Sequence, residues 1–197
     1  MFTGTVEATG SLAEVTPVAG GLRIRIETAL ASTLAPGASL GVNGVCLTVV
    51  VVDGTQVLAD IGPETARVTT LGLLQRGQRV NLERPMRLDG RLDGHFVLGH
   101  VDGVGVVSEV RPDAGSHWVT IQFPAALAPY FVRKGSVAVD GTSLTVAGLG
   151  DREFDVQIIP FTWTHTTLCD LRPNDKVNLE CDMIGKYVVR AFEARQT

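Results

Sequence analysis

The sequence predicts an all-β protein: two similar small barrels in tandem, each of about six strands, followed by one C-terminal α-helix. Three observations carry that prediction. The first is internal repetition. Residues 38–49, ASLGVNGVCLTV, return as residues 135–146, GSVAVDGTSLTV, and the VNLE of 80–83 returns at 177–180. Pro63-x-Thr65, with TTL at 69–71, returns as Pro160-x-Thr162 with TTL at 166–168, and all three pairs share one offset of 97 residues. Gly4, Val6 and Gly10 match Gly99, Val101 and Gly105 at an offset of 95. The second observation is that short β-branched runs alternate with glycine turns in both copies. The third is a single helical apolar stripe, confined to the end of the chain.

Repetition at this period indicates a duplicated domain and is far too long for a solenoid or a propeller blade. The expected units are residues 1–95 and 96–197, joined by the polar, glycine-containing stretch 88–94. A duplicated domain offers two copies of one pocket, suited to holding two like molecules.

In the first unit the expected strands are 22–27, 40–42, 47–52, 57–61 and 80–82. In the second they are 104–110, 117–123, 136–139, 144–147, 154–159 and 176–179. Asp53-Gly54 is a hairpin signal, with Gly150-Asp151 at the equivalent place. Closing such short strands into barrels removes open sheet edges. Short helical turns are expected at 29–35, 69–74, 125–132 and 166–171. The closing helix is expected at about 183–195. Asp182 would be its N-cap, and Ile184, Tyr187, Val188, Ala191 and Phe192 would form its stripe. The first copy has no such helix, so this stripe would pack on its own barrels or on copies of itself.

The chain of 197 residues is 45% apolar and 19% charged, an ordinary globular balance. Its net charge of -4 argues against a nucleic-acid partner, and an oligonucleotide-binding barrel would need more than the 6% aromatics found here. No apolar run approaches the roughly 20 residues of a membrane span. The start, Met1-Phe2-Thr3-Gly4, carries no signal-peptide pattern. Cys46, Cys169 and Cys181 follow no paired spacing, so free thiols in a cytoplasmic protein are expected.

Differences between the copies point to chemistry. Cys46 corresponds to Ser143, each just before a strand that carries Thr48 or Thr145 two residues on, on the same face. A position that exchanges Cys for Ser while keeping Leu-Thr-Val reads as a polar ligand contact. His95 and His100 open the second copy, and an imidazole moves protons readily near neutral pH. They lack a third nearby ligand for zinc. His117 and His165 read as structural. Lys134 replaces Gly37 and is a candidate contact for an anionic or carbonyl group in the second pocket.

Together, the start MFTG, the NGVCLTV of 43–49, the GHFVLGHVD of 94–102, the DGTSLTV of 140–146 and the final VNLECDMIGKY of 177–187 closely resemble the riboflavin synthase (alpha chain) family. The resemblance runs over nearly the whole chain. It implies two Greek-key barrels and a terminal helix, a homotrimer formed through such helices, and no metal or organic cofactor. It also implies a transferase activity. Two molecules of 6,7-dimethyl-8-ribityllumazine would exchange a four-carbon unit to give riboflavin and a ribitylamino-pyrimidinedione. The working site would lie between the first barrel of one subunit and the second barrel of the next.

Carried over by position, the first pocket would use Gly4, Thr5, Val6, Cys46, Leu47, Thr48 and a strand end of Asp60, Ile61, Gly62, Pro63, Glu64 and Thr65. The second would use Gly99, His100, Val101, Lys134, Ser143, Leu144, Thr145 and a strand end of Ile158, Ile159, Pro160, Phe161, Thr162 and Trp163. His100, Cys46 and Ser143 would carry the chemistry. Phe161 and Trp163 depart from the more polar residues usual in the family. The alternative is a lumazine- or flavin-binding protein of the same fold without turnover, but both copies keep their Leu-Thr-Val segments and Cys46 and His100 are present.

Overall fold

The computed structural model describes residues 1–195. Gln196 and Thr197, the end of the second expected unit, lie outside the described residues.

Twelve strands form two closed antiparallel barrels. The first contains β1 (Ala8–Val18), β2 (Gly21–Glu27), β3 (Ser39–Val42), β4 (Val45–Asp53), β5 (Gln56–Ile61) and β6 (Arg79–Glu83). The second contains β7 (Gly103–Asp113), β8 (Ser116–Gln122), β9 (Ser136–Val139), β10 (Thr142–Leu149), β11 (Glu153–Ile158) and β12 (Lys176–Cys181). Around each barrel the order is first, second, fifth, fourth, third and sixth strand. Strands three to five run as hairpins while the second returns beside the fifth, which is a Greek key.

Alternation decides which side chains fill the barrels. In β4, Val45, Leu47 and Val49 are buried while Cys46 and Thr48 lie on the outer face. In β10, Thr142, Leu144 and Val146 are buried while Ser143 and Thr145 face out. Each barrel has its own apolar core, built on Leu12, Ile24, Ile26, Leu40 and Leu82 in the first and on Val107, Ile121, Phe154, Leu168 and Leu179 in the second. A one-residue slip would turn these sets outward, so the pattern fixes register. Bulges at Leu12/Glu14, Val49/Val51, Val107/Glu109 and Val146/Gly148 repeat at matching places and help the sheets curl.

Three features differ from the sequence expectation. The long strand β1 was not among the expected strands. Its inward positions include Gly10, where a Cβ would come within 2.5 Å of Ile26 and 2.8 Å of Leu82, so the strand is short of the apolar side chains that would reveal it. Residues 63–65 and 160–163 are not strand ends. They lie in two six-residue helices, α1 (Pro63–Val68) and α2 (Pro160–His165), each with proline at its first helical position. The terminal helix α3 covers Met183–Glu193, slightly shorter than expected, and Asp182 caps it by accepting from the Ile184 N–H at 2.9 Å. The expected short turns are 3₁₀ segments at Ala31–Thr33, Thr70–Leu73, Ala125–Tyr130 and Thr167–Asp170.

The barrels meet about a local twofold relation, where the repeated polar residues of VNLE do the joining. Asn81 donates from Nδ2 to the Asp140 carbonyl at 2.9 Å and accepts from the Thr167 N–H at 2.7 Å. Asn178 donates to the Asn43 carbonyl at 2.9 Å and accepts from the Thr70 N–H at 2.8 Å. Each buried amide is therefore spent on the other barrel. The turns at Gly44 and Gly141 approach so closely that a Cβ on either would lie 2.7 Å from the other's backbone nitrogen.

Candidate functional site

The segments before each barrel are exchanged. The Ser143 N–H of the second barrel donates to the Gly4 carbonyl at 2.8 Å, and the Cys46 N–H of the first barrel donates to the Gly99 carbonyl at 2.9 Å. Gly4, Thr5 and Val6 therefore sit with Ser143, Leu144 and Thr145, not with Cys46. Gly99 sits against Cys46, and Val101 packs on the first barrel's core. This corrects the expected grouping, in which each segment stayed with its own barrel. The repeat pairs like segments but carries no information on which barrel each one reaches.

Two buried carboxylates hold the exchange in place. Glu83, ending β6, accepts from Thr3 N at 2.6 Å, Thr3 Oγ1 at 2.8 Å and Gly4 N at 3.0 Å. Glu180, in β12, accepts from Leu98 N at 2.6 Å and from Gly99 N and His100 N at 2.9 Å each. Burial pushes both carboxyls above the ordinary range, against the N–H donors that favour the charged form. Sequence reading assigned neither glutamate a role. The signal was present, because a polar VNLE tetrad kept intact in a buried strand needs a polar partner.

The second cleft is an open space of about 370 Å³ on the outer face of the second barrel. Gly4, Thr5 and Val6 form one wall, Ser136, Ser143 and Thr145 the floor, and Phe161, Thr162 and His165 of α2 the other wall. Among the residues lining it is Thr142, also not foreseen. Lys134 lies outside this lining. It occupies a left-handed turn (φ 68°) before β9, donating its N–H to the Val146 carbonyl at 2.8 Å, as Gly37 does to Val49 in the first barrel. Ile158 is a core residue, Ile159 is exposed at the start of α2, and Trp163 stacks on His117 at 3.8 Å.

Among the described residues, Ser143 has a side-chain hydrogen-bond partner that Cys46 lacks. His95 Nδ1 lies 2.7 Å from Ser143 Oγ, and its Nε2 is buried with no hydrogen-bond partner among the described residues. Burial holds this imidazole below its usual pKa, so it is neutral near pH 7. Cys46 instead packs partly against Phe2, Val97 and Ala138.

In the first barrel, Cys46 and Thr48 share the outer face of β4. His100 is exposed, on a segment pinned by Glu180 and by Asp102. Asp102 accepts from Cys181 N at 2.8 Å and pairs with Lys186 of α3 at 2.7 Å, which ties the terminal helix to the His100 segment. Asp60 is taken up by a bidentate pair with Arg23 at 2.6 and 2.8 Å, which lowers its pKa. Ile61 is core, and Gly62 caps α1, which carries Pro63, Glu64 and Thr65. Leu47 and Leu144 point into the barrels, so they can contribute backbone alone to the clefts. Among the described residues no group of three or more His, Cys, Asp or Glu is placed to hold a metal ion. Nor is any described helix long and apolar enough to cross a membrane.

Comparison with known proteins accords with this architecture. Residues 3–85 and 98–182 each match the lumazine binding domain family. The chain is 45% identical to riboflavin synthase of Mycobacterium tuberculosis over 98% of this chain and 99% of that one. It is 38% identical to riboflavin synthase of Bacillus subtilis, covering 96% and 89%. Among solved structures, LumP complexed with riboflavin superposes with a TM-score of 0.86 at 26% identity, covering 92% of this chain and 99% of that one. LumP complexed with 6,7-dimethyl-8-(1'-D-ribityl) lumazine has the same fold, with a TM-score of 0.84. The chain belongs to the riboflavin synthase family of transferases, with its lumazine binding domain present twice.

Proposed function

We propose that the protein converts two molecules of 6,7-dimethyl-8-ribityllumazine into one riboflavin and one 5-amino-6-(D-ribitylamino)uracil by moving a four-carbon unit between them. The observation that carries this reading is the paired, crossed site: Gly4 against Ser143 in one barrel and Gly99 against Cys46 in the other. Two related clefts on one chain suit a reaction whose two substrates are the same molecule.

The chemistry asks little of a cofactor. The lumazine ring is its own electron sink, so loss of a proton from its 7-methyl group leaves a delocalised anion. A second molecule, activated by addition of a nucleophile, accepts that carbon. The protein aligns two flat rings and moves protons. His100 is the proton shuttle in this reading. Cys46 or Ser143 aids the addition or orients the acceptor, and His95 holds the Ser143 hydroxyl. The remaining cleft residues bind the ring and the ribityl chain.

The working unit is a homotrimer, with the first cleft of one subunit facing the second cleft of the next. Support comes from α3, whose Ile184, Tyr187, Val188 and Phe192 are all exposed in the single chain. An apolar stripe of this kind marks an association surface.

Purified protein mixed with the lumazine alone will develop flavin absorbance with no added metal or cofactor. Lumazine that stays bound and unchanged would instead favour a binding protein of the same fold without turnover. His100→Gln will lower kcat at least tenfold with little change in lumazine affinity. Equal losses in both would remove the shuttle role.

A further inference from the structure

The two clefts stand on the same scaffold but present different chemistry at one matched position. In α2, Phe161 is 67% exposed and its ring stacks on His165, with centroids 4.0 Å apart and planes inclined at 14°. His165 Nδ1 lies 2.8 Å from the Phe161 carbonyl, which fixes the imidazole behind the phenyl ring. Both side chains line the second cleft beside Thr5, Ser143 and Thr145. In α1 the matched residues are Glu64 and Val68. Glu64 there pairs with Arg67 at 2.6 and 2.9 Å, so a solvated ion pair stands where the second barrel has a stacked aromatic pair. The residue before each helix proline also differs, Gly62 against an exposed Ile159.

We propose that Phe161, backed by His165, is a stacking platform for a flat heteroaromatic ring in the second cleft, and that the two clefts of one chain therefore bind the same ligand by unlike means. The inference rests on the functional reading above. A large apolar ring left exposed inside a polar cleft has a physical use when a planar ligand covers it, and stacking on an aromatic side chain tolerates any π-face. Its matched position in α1 offers a carboxylate instead, which cannot stack.

The test is equilibrium dialysis of the full chain with an unreactive ribityllumazine that carries an oxo group in place of the 7-methyl. Parent protein, Phe161→Glu and Phe161→Trp are compared, with circular dichroism to verify folding. Phe161→Glu, which installs the first barrel's residue, is expected to raise Kd about tenfold or more at one of two sites per chain while the other site is unchanged. Phe161→Trp is expected to keep both sites. Unchanged binding in Phe161→Glu, or an equal loss at both sites, would overturn the platform. Parent protein that bound no lumazine at all would overturn the functional reading itself, a different result.

Discussion

Asp140 shows how much one atom matters at the barrel seam. Its counterpart is Asn43, and both accept from the backbone N–H of the facing asparagine, Asn178 or Asn81, at 2.8 and 2.7 Å. Burial raises the Asp140 carboxyl from its ordinary 3.8 to about 7. The folded state thus holds a proton that the unfolded chain releases near pH 4. The stability from this group is fully present below about pH 4 and is lost as pH rises through about 7. Asp140→Asn keeps the acceptor, as Asn43 demonstrates, and removes the titration. The variant is predicted to be more stable than the parent at pH 8, by about 1–3 kcal/mol, with the gap closing at pH 4. Urea unfolding at the two pH values checks this, and a gap that is constant with pH would contradict it. At this scale the sequence was informative about identity more than about partners. The exchange of Cys46 for Ser143 was plain in the repeat, whereas the His95–Ser143 contact was not, because His95 has no repeated counterpart and its partner lies 48 residues away.

At the scale of elements, the crossed segments are the arrangement on which the clefts depend. Gly99 has φ of 83°, and a Cβ there would lie 2.6 Å from the Cys46 Cβ and 2.9 Å from the Phe2 ring. Gly99→Ala combines a left-handed strain with a clash, so a loss of about 2–4 kcal/mol is predicted, together with loss of activity. Denaturant midpoints measure the first, and a change under about 0.5 kcal/mol would show that the segment does not sit against Cys46. Which elements were legible follows from their composition. Strands such as β4 and β10 announce themselves by alternating buried and outward residues. β1 hides because Gly10 gives up a side chain to let Ile26 and Leu82 fill the barrel. The helices α1 and α2 hide because six residues offer less than two turns of periodicity, and proline before a β-branched stretch reads equally well as a strand end. The crossing was illegible for a deeper reason: exchange between two like barrels leaves every local pattern unchanged.

The whole molecule is asymmetric in the sense that the proposed reaction would require. Two barrels of one design are joined about a local twofold, yet a single helix, α3, leaves the second. Its Lys186 reaches back to Asp102, two residues beyond His100, so the element with the exposed apolar stripe is also tied to a candidate catalytic segment. Assembly through α3 would set unlike clefts of neighbouring chains face to face, and neither cleft alone would suffice. The duplication was the most legible feature of the sequence, and the helix stripe was legible too. What the stripe packs against was not, because an apolar face specifies burial and not the partner.

The most direct measurement mixes two inactive variants. Thr48→Arg is designed to fill the first cleft and Thr145→Arg the second, both at exposed outer-face positions away from the barrel cores. Each variant alone is predicted to form no flavin from lumazine. Dissociated together and reassembled, they are predicted to regain flavin formation, because some interfaces then join an intact first cleft to an intact second cleft. Reassembled mixtures that remain as inactive as their parts, while still associating through α3, would contradict a site shared between chains.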